Sequence, residues 1–347
     1  MTHTAPSALL RQWHLGEKTQ GLCLNRNGRW GAASLHGGHV ALALAEDAGE
    51  EPQIVRIDET SEIVSLIPDS DAHAFLALTE KGALFIVEPQ IVAPTQLIAQ
   101  DNICAIASSP SGLRAFATDK TVYFIDACGE IEPDTYLSDS PIHDIALSPD
   151  GCYLAVASEQ GMTVFSLHAK TSHLFLKDKD CIALTGLGDA LAGVCREGKI
   201  IYWPEFEMPS VSFDVSSFQG TPHVSGITIG GSFLCASGAR QAVLFPLKET
   251  ETTKHLGGAD RRLVSCMAPH ASEPFLMVGY DDGMIVMAPI DGRVPIMIHP
   301  PTAPSGASVT GIVWNARGDS LLATLESGWL MLFTKTSISK AVRARLR

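Results

Sequence analysis

The chain has 347 residues, 46 % of them hydrophobic and 18 % charged, with a formal net charge of −13. No apolar run approaches the ~18–20 residues that cross a bilayer, and an acidic balance opposes the basic face that phosphate neutralisation needs, so a membrane protein and a nucleic-acid binder are both disfavoured. With 30 Gly, 20 Pro and few helical stripes, the chain favours many short strands, an all-β class.

Residues 1–10 read as a tail without a basic segment or an apolar core long enough for a secretory signal, so a cytoplasmic location is expected. Next comes an apolar, aromatic segment, Arg11-Gln12-Trp13-His14-Leu15, with no partner strand in its own neighbourhood. Eight similar units follow, with first strands near Thr19, Ile63, Ile103, Ile142, Cys181, Val224, Val264 and Val309. The steps between them are roughly 39–45 residues. The fourth copy is the clearest. Ile142–Leu147 leads into the turn Ser148-Pro149-Asp150-Gly151, then Tyr153–Ser158, then Glu159-Gln160-Gly161, then Met162–Leu167. Proline presets φ at the second turn position and glycine relieves the fourth, which gives that turn a mechanism. Second turns elsewhere carry Gly37-Gly38, Lys81-Gly82, Asp119-Lys120, Glu197-Gly198, Arg240-Gln241, Asp282-Gly283 and Ser327-Gly328. Weaker fourth strands are expected at Ile54–Ile57, Thr95–Ile98, His173–Leu176, Val211–Val215 and Pro295–His299. The chain ends in a basic tail, 335–347, which reads either as a short helix docking on an acidic surface or as a frayed end.

A period near forty, four strands per unit and turns of the SPDG kind resemble the WD40-repeat proteins, over residues 11–334. The resemblance implies a closed β-propeller of eight four-stranded blades, seven being the fallback count, forming a single domain. It also implies that the last blade is closed by the N-terminal strand around Trp13, because the eighth unit ends at Phe333 with no fourth strand of its own. The family's hydrogen-bonded tetrad is largely missing. Asp119 and Asp282 fill its aspartate position, Ser34, Ser237 and Thr324 its hydroxyl position, and Trp203 alone its tryptophan, so the repeats are degenerate.

The third position of the first strands is small in every unit but one: Gly21, Ser65, Ala105, Ala183, Gly226, Cys266 and Gly311 stand against Asp144. Asp144 reads either as a channel carboxylate, with His143 as an acid/base partner, or as a cap on a loop. The residues just before the second turns are His36, Glu80, Thr118, Glu159, Arg196, Ala239, Asp281 and Glu326. Exposed together, the acids Glu80, Glu159, Asp281 and Glu326 would form a negative rim broken near Arg196, suited to a basic peptide or protein. Trp329 reads either as an aromatic anchor for a partner or as packing against a neighbour.

No His or Cys spacing matches a metal site, the 8 Cys carry no close pair, and Gly193 with Gly198-Lys199 lacks the hydroxyl and the helix of a P-loop. No cofactor is expected. The expected function is a monomeric, non-catalytic scaffold for protein partners; the alternative is a hydrolase or lactonase-like propeller with a channel site around Asp144. An RNA-binding reading would need Arg240, Arg261 and Arg262 clustered on one face.

Overall fold

The computed structural model describes residues 8–345 apart from 47–48, 101, 127, 175–179, 207–209, 258–261 and 302–306. Its strands form eight separate four-stranded antiparallel sheets, the blades of a β-propeller. The first strands are Thr19–Leu24, Ile63–Pro68, Ile103–Ser108, Ile142–Leu147, Cys181–Leu187, His223–Ile227, Val264–Pro269 and Val309–Trp314, numbered below as blades 1 to 8.

Each first strand carries the same irregularity. Its pairing with the second strand steps by one residue just before Gly21, Ser65, Ala105, Asp144, Ala183, Gly226, Cys266 and Gly311. A bulge of this kind bends the strand and increases its twist, and the repeated small residue belongs to it. The residue stepped over reaches the next blade in three places. Ser265 Oγ donates to Val309 O at 2.7 Å, Cys104 Sγ to Ile142 O at 3.5 Å, and Thr310 Oγ1 lies 2.7 Å from Thr19 Oγ1.

Second strands are buried along most of their length, and Phe75–Thr79, Ala190–Cys195 and Ser320–Leu325 throughout. A strand covered on both faces reads as a continuous apolar run rather than an alternation. Outer strands face solvent instead, and Ile131–Leu137 of blade 3 leaves Leu137 72 % exposed.

The strands fall into two compact units, one running through Ile54 and resuming at Phe218, the other spanning Val55–Ser217. In the first, the segment expected to be an orphan is a strand, Leu9–His14, paired antiparallel with Trp329–Thr334 as the outer strand of blade 8. The last blade is thereby closed by the N-terminus. Trp13 packs half-buried against Leu330 and Leu332. Blade 8 meets blade 1 through a hydroxyl chain. Thr19 donates to Leu325 O at 2.7 Å, so Thr310 must donate to Thr19, and Thr324 to Thr310 at 2.9 Å. At the other end of the strands Gly28, with φ +70°, leaves room for Ala316; a Cβ there would come within 2.5 Å of the Ala316 Cβ.

The basic C-terminal segment forms a helix, Lys335–Arg345, with Ile338 5 % exposed. Lys335 pairs with Glu273 in the first turn of blade 7, holding that carboxyl below its ordinary range. Of the two readings of this segment, the structure shows the helix docked on an acidic group of its own unit.

In the second unit, blades 2 and 3 are joined by an ion pair absent from the sequence reading. Arg114, at the start of the second strand of blade 3, donates through Nε and Nη2 to the two Asp69 oxygens at 2.7 and 2.9 Å, with side chains 8 % and 0 % exposed.

Candidate interaction surfaces

In blades 1, 2, 5, 7 and 8 the turn between the second and third strands is fixed by a repeated backbone bond. The first turn residue donates its N–H to the residue ahead of the blade's first strand: His36 to Lys18 O, Glu80 to Glu62 O, Arg196 to Asp180 O, Asp281 to Leu263 O and Glu326 to Ser308 O, all at 2.8–2.9 Å. These turns therefore present side chains from a held backbone, the condition for recognition without a large ordering cost.

Two positions of the sequence reading need correction. Thr118 is the last residue of the strand Arg114–Thr118, so the turn position in blade 3 belongs to Asp119; in blade 6 the strand ends at Ser237 and Gly238, not Ala239, takes that place. Blades 3 and 4 connect these strands through two residues, where blades 1, 2 and 5 use three. Asp119 sits at φ +41°, a conformation that aspartate tolerates better than most residues, and its carbonyl accepts the Ile142 N–H at 2.6 Å.

In the second unit, three consecutive blades present an exposed acid at this position: Glu80, Asp119 and Glu159. Among the described residues no cation pairs with any of the three. The lysines beside two of them turn to connections between blades instead, Lys81 Nζ donating to Thr60 Oγ1 at 2.5 Å ahead of blade 2 and Lys120 Nζ to Asp139 O at 3.4 Å after blade 3. Arg196 of blade 5 is paired with Asp180 at 2.5 Å, and the same Asp180 lies 3.4 Å from His143. In the first unit the acids are held differently. Glu326 pairs with Lys18 at 3.2 Å, and Asp282, next to the half-buried Asp281, accepts from Arg262 and from Met284 N. Arg262 is thus engaged beside Asp282, while Arg261 lies outside the described residues.

Asp144 is a structural link. Its Oδ1 accepts the N–H of Ile145 at 2.9 Å and its Oδ2 that of Leu184 at 2.7 Å, in the first strand of blade 5. Desolvation pushes its carboxyl up to about 6 against these two bonds. His143, at the bulge, turns towards Asp180 instead, so the two do not form the acid/base pair considered from the sequence.

Trp329 is half-buried and meets His14 edge-on at 4.9 Å, within the same blade. Trp203 is fully buried, facing Gly193, where a Cβ would approach its ring to 3.4 Å. Burial pushes the thiols of Cys23, Cys235 and Cys266 up to about 12, which keeps them protonated and poor ligands or nucleophiles. Among the described residues, no three His, Cys, Asp or Glu side chains converge as metal ligands would.

A clip in the first unit escaped the sequence reading. His270 donates from Nε2 to Gly318 O at 2.8 Å, bridging the first turns of blades 7 and 8. Its Nδ1 accepts from Ser272 N and Glu273 N, and its ring lies edge-on to Trp314 at 4.7 Å. Only the histidine in the turn His270-Ala271-Ser272-Glu273, where four other units carry Ser or Asn, hints at it.

No family model matches the chain, and no curated protein matches it. Solved structures do. The C-terminal WD40 domain of Sif2 superposes with TM-score 0.68 at 12 % identity, over 93 % of this chain and 98 % of that one. A computationally designed protein, Ika8, gives 0.67 at 12 %, over 92 % and 97 %. A chain of a mitotic checkpoint complex gives 0.59 at 11 %, over 96 % and 94 %. The fold is that of a WD40-like β-propeller, reached here with few of the tetrad residues that mark the repeat.

Proposed function

We propose that the protein is a non-catalytic interaction scaffold, that residues 11–334 act as one domain, and that the exposed turns of blades 2 to 4 receive a basic segment of a protein partner. The observation that carries this reading is the contrast between like positions. Glu80, Asp119 and Glu159 are exposed and stand without a cation among the described residues, whereas at the same position Glu326 pairs with Lys18 and Asp281 is half-buried. Unneutralised, exposed carboxylates supply long-range attraction and orientation for a cationic partner. WD40-type structures in complexes, such as the checkpoint assembly, make protein partnering a natural use of the fold, though a fold alone does not dictate a function. The hydrolase alternative has no support in the geometry of Asp144, whose two oxygens are occupied by backbone donors.

The test is a fluorescence-anisotropy titration with a labelled peptide of alternating alanine and lysine or arginine. Neutralising the three acids as Glu80→Gln, Asp119→Asn and Glu159→Gln should weaken binding by roughly 5–20-fold, at about 0.3–0.6 kcal/mol per exposed charge. Asparagine is chosen at 119 because it accepts positive φ. Glu326→Gln should leave binding unchanged. Equal binding by the triple variant and the wild type would overturn the assignment.

A further inference from the structure

The outer strand of blade 3, Ile131–Leu137, is bulged, its pairing with the third strand jumping from Thr135 opposite Tyr123 to Ile131 opposite Ile125. Around this bulge Glu132, Asp134 and Thr135 line a gap towards blade 4. Tyr136 packs on Phe165 of blade 4 with ring centroids 5.2 Å apart and fills one end of the space between the two blades. The two carboxylates do not fill the other end. There a cleft of about 330 Å³ remains, floored by Leu113, Phe124, Phe165 and Leu167 and edged by Glu132, Asp134, Thr135 and Lys170. This volume is at the lower end of what ligand sites offer, room for one long side chain and part of a neighbour.

The charges at the mouth do not balance. Lys170 pairs with Asp134 at 2.9 Å, both largely exposed, while among the described residues no cation pairs with Glu132. An unmatched carboxylate over an aromatic and aliphatic floor is complementary to a group with an apolar stem and a cationic end. A lysine or arginine side chain has that form, and its stem can lie along apolar surface while the head reaches the carboxylate. Aromatic faces at Phe124 and Phe165 add attraction for a cation.

We infer that the cleft between blades 3 and 4 receives a lysine or arginine side chain, with its apolar neighbour, from a short segment of a protein partner. The site lies at the first-turn end of these blades, beside Gly151, whereas Asp119 and Glu159 stand at the second-turn end. It is therefore a separate contact that does not depend on the acidic turns. Glu132 supplies the charge selectivity, and Phe165 and Leu167 supply the wall for the stem.

The experiment uses the full chain with ¹³C-labelled leucine methyls, titrated with acetyl-Arg-Leu-amide and with its citrulline counterpart, which keeps the shape and loses the charge. Saturable shifts of the Leu113 and Leu167 methyls are expected, with the citrulline peptide at least about fivefold weaker, a difference of about 1 kcal/mol. Glu132→Gln should remove that preference, and Glu132→Lys, which places an ammonium at the mouth, should abolish the shifts. Both changes are on the surface of an outer strand and leave the core intact. Absence of shifts, equal affinity for the two peptides, or an unaltered preference in Glu132→Gln would each overturn the proposal. Retention of these shifts in the Glu80/Asp119/Glu159 triple variant would confirm that the two contacts are independent; their loss would contradict it.

Discussion

Arg114 and Asp69 meet through two parallel N–H···O bonds, across the boundary between blades 2 and 3 and almost wholly out of solvent. Arg114 Nη1 also donates to Asp126 O at 3.3 Å, and Asp69 Oδ1 accepts the Ser70 N–H at 2.6 Å, so the pair ties a first turn to the next blade. Removing one partner strands a buried charge. Arg114→Met or Asp69→Asn alone should cost about 3–5 kcal/mol in denaturant unfolding, and the double substitution should recover much of that. A double mutant as unstable as the sum of the singles would show that the two residues act separately.

Asp144 makes stability depend on pH with a defined sign. Its carboxyl in the fold is raised to about 6 from an ordinary 3.8, so its contribution is fully present below the ordinary value and is lost as pH rises through about 6. Because the residue keeps some exposed surface, the loss is about 1–3 kcal/mol. Other carboxyls, such as Asp58 and Asp150, are lowered by hydrogen bonds and slope the opposite way. The difference between wild type and Asp144→Asn, measured from pH 4 to 7, isolates the term. It should fall across this range for the wild type, and a flat difference would refute it.

The strand Leu9–His14 supplies the outer edge of blade 8, and its removal exposes the buried face and unpaired backbone of Trp329–Thr334. A chain starting at Gly16 or beyond should unfold at markedly lower denaturant and aggregate. A melting profile equal to that of the full chain would mean that the strand is dispensable.

The legibility of this fold has a physical basis in the first strands. Each combines an apolar run, a bulge before a small residue and a turn, so seven of the eight starts fall on the observed residue, blade 6 beginning at His223 instead of Val224. Outer strands were read less completely. Ile131–Leu137 carries Glu, Pro and Asp, and Lys254–Leu256 is three residues long, because solvent on one side relaxes the demand for apolar pattern. The Arg114–Asp69 pair joins residues 45 apart and leaves no local periodicity. A basic residue opening an otherwise apolar second strand, one repeat after an acidic first turn, is the signal that would have found it. In blade 3 the turn opens at Asp119 rather than Thr118 because the strand Arg114–Thr118 runs through Thr118. Asp144 stood out correctly as the one large residue among small ones, but only the Leu184 N–H beside it shows that the position serves to join blades.

The central claim is that a basic partner segment is held by the second-strand turns of blades 2 to 4. Amide hydrogen exchange, read with and without the alternating basic peptide, tests it most directly. The account predicts slowed exchange around Glu80–Gly82, Asp119–Lys120 and Glu159–Gln160, with the turns at Asp281–Gly283 and Glu326–Gly328 unchanged. Protection confined to the latter turns, or spread evenly over all of them, would contradict it.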